Sequence, residues 1–147
     1  MNIKYMEEAL EEAKLAYKEN EVPIGAVVVL DNKIIGRGHN ARMRNKSSIS
    51  HGEIIAIDNA CKNLCDWRLD GADIYVTVEP CLMCAGAILL SRIKGLYYGA
   101  KNNKFGACES ITNALNHDFN HKVNITSGIM EEECQKIMKD YFRSFRK

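Results

Sequence analysis

The sequence predicts a single α/β domain over residues 1–147, a three-layer α/β/α sandwich built on a mixed sheet of about five strands. Three observations carry that expectation. The short, nearly all-apolar run 73-DIYVTV-78 is followed by a helix-period segment and then by a second strand-like run, 94-KGLYYGA-100. Strand, helix, strand is a crossover unit, which pairs its strands in parallel and covers both faces of the sheet. Upstream, two extended runs flank the turn residues 31-DNK-33 and read as an antiparallel hairpin, which makes the sheet mixed. Helical periodicity at both ends of the chain supplies further covering layers.

The elements follow in order. Over 5–17, Met6, Ala9, Leu10, Ala13, Ala16 and Tyr17 recur at helical spacing among Glu and Lys, giving an amphipathic first helix. The run 22-VPIGAVVVL-30 is rich in β-branched residues, and 34-IIGRGHN-40 resumes the extended pattern after the turn. A polar, basic loop, 41-ARMRNKSSIS-50, leads into 51-HGEIIAIDNACKNL-64, where Ile54, Ile55, Ile57, Ala60, Cys61 and Leu64 give a helix a broad apolar face. After strand 73–78, Pro80 is pre-set to open a helix over about 81–91, ahead of strand 94–100. A weak helix is expected near 111–116, a short strand over 123-VNIT-126 and a last helix over about 131–146. On that helix Lys136, Lys139, Arg143 and Arg146 form a basic stripe opposite Met138, Tyr141, Phe142 and Phe145.

Composition narrows the function classes. Lys and Arg number 20 against 19 Asp and Glu, a formal net charge of +1, so no global field draws the chain to nucleic acid, membrane or an acidic partner. Any basic footprint is local, and Arg42, Arg44 and Lys46, just ahead of His51, are the best placed to meet phosphate. The acidic start MNIKYMEEALEEAK has no apolar targeting segment, and no run reaches the roughly 18 apolar residues of a spanning helix. A soluble cytoplasmic protein with no membrane partner is expected. In that compartment the six cysteines, Cys61, Cys65, Cys81, Cys84, Cys108 and Cys134, are expected to be reduced, and a C-x-x-C pair points to a metal or to redox chemistry.

Cys81 and Cys84 stand in 78-VEPCLMCAGAI-88, where strand gives way to helix. Unpaired N–H groups and the helix dipole favour thiolate there. Two thiolates can hold zinc but fill only two of its four positions. His51 opens the other interior helix, and Glu53 follows it. Residues two apart on a regular helix face different ways. Both can therefore reach one site only if His51 is a cap with non-helical dihedrals. With His51, Cys81 and Cys84 as ligands, zinc keeps a fourth position open, which distinguishes a catalytic site from a structural one. Two thiolates with one imidazole suit zinc best among divalent ions, and Glu53 is then placed to move protons. Taken singly, the cysteines could be core and His51 a cap. The joint pattern H-x-E with P-C-x-x-C is that of zinc-dependent nucleobase deaminases, a recognition rather than a deduction from spacing. For Cys61 and Cys65, one helical turn apart, core packing is expected. His117 and His121 have no carboxylate placed to complete a metal site, and Cys108 and Cys134 carry no signal.

The chain resembles the bacterial tRNA adenosine deaminase family, of the cytidine-deaminase-like superfamily, over nearly its whole length. The stretches that carry the resemblance are 21-EVPIGAVVV-29, 38-GHN-40, 51-HGEIIAI-57, 67-WRLDGADIYVTVEPCLMCAGAILLSRI-93, 98-YGAKNNKFGA-107, 119-FNHKVNITSGI-129 and 141-YFRSFR-146. The resemblance implies the superfamily's α/β/α sandwich, one catalytic Zn2+ per chain, and a homodimer acting on a tRNA anticodon stem-loop. The implied reaction converts the wobble adenosine of an arginine tRNA to inosine and ammonia, with water attacking C6 of the adenine. Glu53 would carry the water's proton to N1 and then assist the leaving group. Asn40 matches the family's base-reading asparagine; without the resemblance, an Asn ending a strand at a turn is the simpler reading. His121 is implied as a substrate contact by its place in FNHKV.

Three positions depart from the family. Gly52 stands where Ala is usual, at a helix cost of roughly 1 kcal/mol, and is expected to keep its backbone N–H for a substrate. Because H-G-E also occurs in fungal cytosine deaminases, Gly52 loosens the substrate assignment. The triplet 48-SIS-50 replaces an Asp-Pro-Thr-like one beside the pocket, and Asn102 replaces an Asp near the nucleotide's sugar and backbone, which loosens selectivity for RNA. Two alternatives stay open: a deaminase of a free base or nucleoside such as cytosine or guanine, and a non-catalytic zinc protein, against which Glu53 argues.

Overall fold

The computed structural model describes residues 1–144. Helix α1, Ile3–Lys18, is capped by Asn2, whose side chain accepts from the Lys4 N–H, and buries Met6, Ala9, Leu10, Ala13 and Ala16. Strands β1, Gly25–Leu30, and β2, Lys33–His39, pair antiparallel. Their turn residues Asp31 and Asn32 both take left-handed φ, 50° and 63°, the conformation a tight hairpin asks for. After the one-turn helix α2, Arg42–Asn45, comes α3, Gly52–Leu64, and then the expected crossover: β3, Asp73–Val78, α4, Leu82–Leu90, and β4, Gly95–Ala100. Strands β3 and β4 pair in parallel, β3 runs antiparallel to β1, and the three-residue β5, Asn124–Thr126, adds a parallel edge. The sheet order is β2-β1-β3-β4-β5, and α5, Glu131–Ser144, closes the described chain.

Two cores make the three layers. Ala26, Val28, Ile74, Val76, Leu96 and Tyr98 point to one face, where they pack with Ala56 and Ala60 of α3 and Ala85 and Ile88 of α4. The alternate residues Val27, Val29, Tyr75 and Tyr97 point to the other, against Met6, Ala9 and Leu10 of α1 and Cys134 and Ile137 of α5. The period-2 alternation of strands and the i, i+3, i+4 spacing of helices thus divide the apolar residues between the layers. Close approach of α3 to β2 depends on two glycines. A Cβ on Gly36 would lie 2.3 Å from the Ala56 carbonyl oxygen, and one on Gly38 2.5 Å from that of Gly52. This contact sets the first turn of α3 directly against the end of β2.

Four expectations need correction. Helix α2 was not foreseen. The segment 111–116 forms turns rather than a helix: Ile111 and Ala114 donate back to Gly106 and Ala107, folding the segment onto the preceding loop. On α5 the inner face is Cys134, Ile137 and Tyr141, while Phe142 is 46% exposed. Arg146 and Phe145 lie outside the described residues, and Lys136 pairs with Asp140 of its own helix at 2.7 Å. Cys65 is exposed, capping α3 in a left-handed conformation, whereas Cys108 and Cys134 are buried. All six cysteines are free thiols.

Candidate metal centre and active site

Helices α3 and α4 begin side by side. His51 caps α3 with φ −81° and ψ 151°, and Cys81 caps α4 with φ −75° and ψ 177°. Both are extended rather than helical. The dihedral condition set by the His-x-Glu spacing is therefore met. His51 Nδ1 lies 3.6 Å from the Sγ atoms of both Cys81 and Cys84, and the three ligand atoms all fall within 4.8 Å of one another. A tetrahedral ion with bonds of about 2.05 Å to nitrogen and 2.3 Å to sulfur separates such ligands by roughly 3.6 Å, so the donor set fits zinc in both chemistry and span.

The electrostatics agree with a cation site. The Cys81 thiol is pushed down to about 4, first by a hydrogen bond with Cys84 and then by His51, whose imidazole the same contact with Cys81 pushes up. The bond to Cys81, together with burial, pushes Cys84 the other way. A divalent cation bound there would displace the thiol protons. Glu53 lies in the first turn of α3, 3% exposed, and its Oε1 has no hydrogen-bond partner among the described residues. Burial pushes its carboxyl up to about 7, while a backbone hydrogen bond and His51 hold it down. A buried carboxylate oxygen without a donor is costly. This one is poised to receive a proton from a molecule that enters the site.

Asn40 follows β2 and is 4% exposed; its Oδ1 accepts the Gly52 N–H at 2.7 Å. The Gly52 amide, expected to face a substrate, is thus taken by Asn40, whose own Nδ2 is the remaining donor. A Cβ on Gly52 would stand 3.0 Å from the Ile24 carbonyl oxygen and 3.1 Å from His39 Cα, so the glycine matches a tight seat. Beside Asn40 lies a cavity of about 400 Å³, lined by Glu21, Arg42, Met43, Ser47 and Ser48 among others. Arg42 lines this cavity, whereas Arg44 pairs with Glu19 at 2.6 Å and Lys46 forms the left-handed cap of α2.

The other two expected substrate contacts sit differently. Asn102 uses its Oδ1 to accept from the N–H groups of Lys104 and Phe105, closing a turn just beyond β4. His121 bonds the Ile93 carbonyl through Nε2 at 2.7 Å. Ile93 precedes β4, so His121 stands at the end of the parallel strands opposite the one that leads into Cys81.

Two buried carboxylates at the site were missed from sequence. Glu21, 3% exposed, caps α2 by accepting the Met43 and Arg44 N–H groups. Glu79, 2% exposed, accepts from the backbone of Asn102, Cys108, Glu109 and Ser110 and from the Ser110 hydroxyl. Burial raises the Glu79 carboxyl, but these bonds outweigh it and hold it below the usual range. The available signal was a carboxylate at the edge of an apolar run, Glu79 in 73-DIYVTVE-79 and Glu21 in 21-EVPIGAVVV-29.

The profile of the MafB19-like deaminases matches residues 2–146. A tRNA-specific adenosine deaminase of Bacillus subtilis (strain 168) is 49% identical over 144 residues, covering 97% of this chain and 89% of the relative. One of Rickettsia typhi (strain ATCC VR-144 / Wilmington) is 45% identical over 144 residues, covering 96% and 97%. A solved structure from studies of A-to-I editing by tRNA:A34 deaminases at the wobble position of transfer RNA superposes with a TM-score of 0.89 at 44% identity, covering 92% of this chain and 99% of its own. A guanine deaminase from Bacillus subtilis superposes less closely, with a TM-score of 0.67 at 33% identity over 72% of each chain.

Proposed function

The chain belongs to the family of MafB19-like deaminases, and from that membership we propose that it is a zinc-dependent hydrolase that converts adenosine to inosine at the wobble position of a tRNA anticodon, releasing ammonia, with an arginine tRNA as its substrate. The observation that carries the chemistry is Glu53, a buried carboxylate with an unpartnered oxygen in the same helical turn as His51, beside Cys81 and Cys84. The substrate class rests on near full-length likeness to tRNA-specific adenosine deaminases. The whole chain, 1–147, would act as one deaminase domain in the cytoplasm. Among the described residues no helix is long and apolar enough to cross a membrane.

His51, Cys81 and Cys84 are proposed as the ligands of one zinc ion. Zinc held there would lower the pKa of water from 15.7 to about 7, making a hydroxide nucleophile available at neutral pH. Glu53 takes the proton released by the attacking water and delivers it to N1 of the adenine as the C6–O bond forms. It then carries the remaining proton of the new C6 hydroxyl to the C6 amino group, which leaves as ammonia as the C6 carbonyl forms, so the carboxylate ends as it began. Asn40, fixed through Oδ1 by the Gly52 N–H, turns Nδ2 towards the pocket as a donor for an acceptor on the base. Gly52 thereby acts by orienting Asn40, and Asn102 is proposed to meet the nucleotide's sugar. Any contact from His121 would be made with RNA well away from the base, because it sits at the far end of the strands.

A homodimer is proposed as well. Helix α4, LMCAGAILL, has no polar or charged side chain apart from Cys84, yet it exposes 65% of Leu82 and 67% of Leu90. A face of that kind is suited to burial against a second copy.

The test is mass spectrometry of an arginine-tRNA anticodon stem-loop bearing adenosine at the wobble position, incubated with zinc-loaded wild type and with Glu53→Ala. Inosine from the wild type alone is expected, with equal zinc in both proteins. No inosine from zinc-loaded wild type, together with turnover of free guanine or cytosine, would overturn the substrate.

A further inference from the structure

We propose that Glu79 is a positioning residue, an internal anion that fixes the loop 101–110 against the turn bearing Cys81, so that Asn102 and Phe105 are presented to the nucleotides around the target. The inference rests on the functional reading above for what the loop meets, though not for how the loop is held. Glu79 ends the run into Pro80 and Cys81, while the loop leaves the neighbouring strand at Ala100, the Cα partner of Val78. Two segments that emerge side by side thus diverge, one to Cys81 and Cys84 and one into the loop 101–110.

The loop has no regular structure, and ordering each of its residues costs roughly 1–2 kcal/mol of backbone entropy. Glu79 supplies a common centre. Its Oε1 accepts from the Asn102 N–H at 3.1 Å and from the Ser110 hydroxyl. Its Oε2 accepts from three consecutive backbone N–H groups, those of Cys108, Glu109 and Ser110, at 2.8–3.0 Å. A carboxylate offers about four lone-pair sites, so five donors saturate it, and both ends of the loop are tied to one group. Gly106 makes room: a Cβ there would lie 2.4 Å from Glu79 Cδ. The Ala107 N–H donates to the Pro80 carbonyl, a second tie between loop and turn.

The order passes outward. Asn102, held through its N–H by Glu79, holds in turn the N–H groups of Lys104 and Phe105 with its side chain. Phe105, 71% exposed, is therefore a large aromatic ring standing out of a fixed turn. A ring so placed has little reason to face water. It fits stacking against an unpaired base, the usual way in which single-stranded RNA loops are held.

The experiment compares zinc-loaded wild type with Glu79→Gln, which puts an amide donor among donors, and with the milder Ser110→Ala, which removes one of the five bonds. Amide hydrogen exchange over 102–110, zinc content, and kcat and KM on the anticodon stem-loop are read together. Faster exchange confined to 102–110 is expected, with zinc content unchanged, KM raised by about tenfold and kcat per zinc within about twofold. Ser110→Ala should show the same pattern in smaller measure, and it decides the matter where Glu79→Gln does not fold. Unaltered exchange over 102–110, or kcat falling in step with lost zinc at constant KM, would overturn the proposal. Should the wild type leave the stem-loop unchanged, the functional reading fails separately and the exchange data still decide the role of Glu79.

Discussion

At the scale of single residues, function depends on how polar groups are satisfied once buried. Asn40 shows this most clearly. Read as an Asn ending a strand at a turn it would be replaceable, because surface changes away from special features usually stay within about 0.5 kcal/mol. Its Oδ1 is instead the partner of the buried Gly52 N–H, between His51 and Glu53. Asn40→Ala should therefore lower unfolding free energy by about 1–3 kcal/mol, the cost of an orphaned buried donor. It should also lower kcat/KM on the stem-loop by more than tenfold with zinc retained. Urea titration and steady-state kinetics on one preparation check both, and a neutral result in either would mean that the bond is incidental. The grouping of His51, Cys81 and Cys84 was legible in the sequence because a metal site demands particular side chains at particular breaks. Gly52's amide was not, since what it bonds depends on Asn40, twelve positions away, and no local pattern encodes that pairing.

At the scale of elements, the hairpin, the crossover and the two site helices were legible because each follows from hydrophobic period and turn chemistry. Helix α2 was not: four residues, RMRN, carry no period, and the segment is held by Glu21 and by the Arg44–Glu19 pair from outside it. The expected helix at 111–116 failed for the converse reason, because local propensity lost to a loop folded round Glu79. Packing makes the element scale testable. A Cβ on Gly38 would lie 2.5 Å from the Gly52 carbonyl oxygen, 2.6 Å from the Ala56 nitrogen and 2.9 Å from Ile55 Cβ. Backbone cannot yield as a side-chain tip can. Gly38→Ala should cost about 1–3 kcal/mol or more and displace the start of α3, so that Tm and zinc content fall together; a Tm within a degree of wild type would refute it. Glu79 adds a pH signature to the loop it holds. Its folded pKa is depressed, so its contribution is present above the unfolded value near 4.5 and is lost as pH falls through the lower folded value. The stability gap between wild type and Glu79→Gln should therefore narrow in urea titrations as pH falls below the unfolded value near 4.5. A constant gap would show that the carboxylate's charge contributes nothing.

At the scale of the whole molecule, the site's position follows from topology. The parallel strands β3 and β4 bring the Cys81 turn and the 101–110 loop out at one end of the sheet, and the close packing of α3 on β2 sets His51 and Glu53 beside them. The same arrangement puts α4 on the outside of its layer with an apolar surface that no described element covers fully. Leu90, at the opposite end of α4 from Cys81, separates assembly from chemistry: it is 67% exposed and eight positions beyond the first helical residue. In a monomer, Leu90→Arg would be a surface change of little consequence, and it would improve solubility. In a homodimer that buries this face, it would set two unpaired guanidinium groups in an apolar contact, at several kcal/mol. Sedimentation velocity on zinc-loaded protein at micromolar concentration should therefore give a species of about 33 kDa for wild type, twice the 16.6 kDa chain, and the chain mass for Leu90→Arg. Equal sedimentation of both at the dimer mass would move the interface to another face, and at the chain mass would remove the dimer. If the variant dissociates yet keeps its zinc and its Tm, the site is built within one chain. If zinc and inosine formation fall with dissociation, the second copy is part of what holds the loops around the pocket.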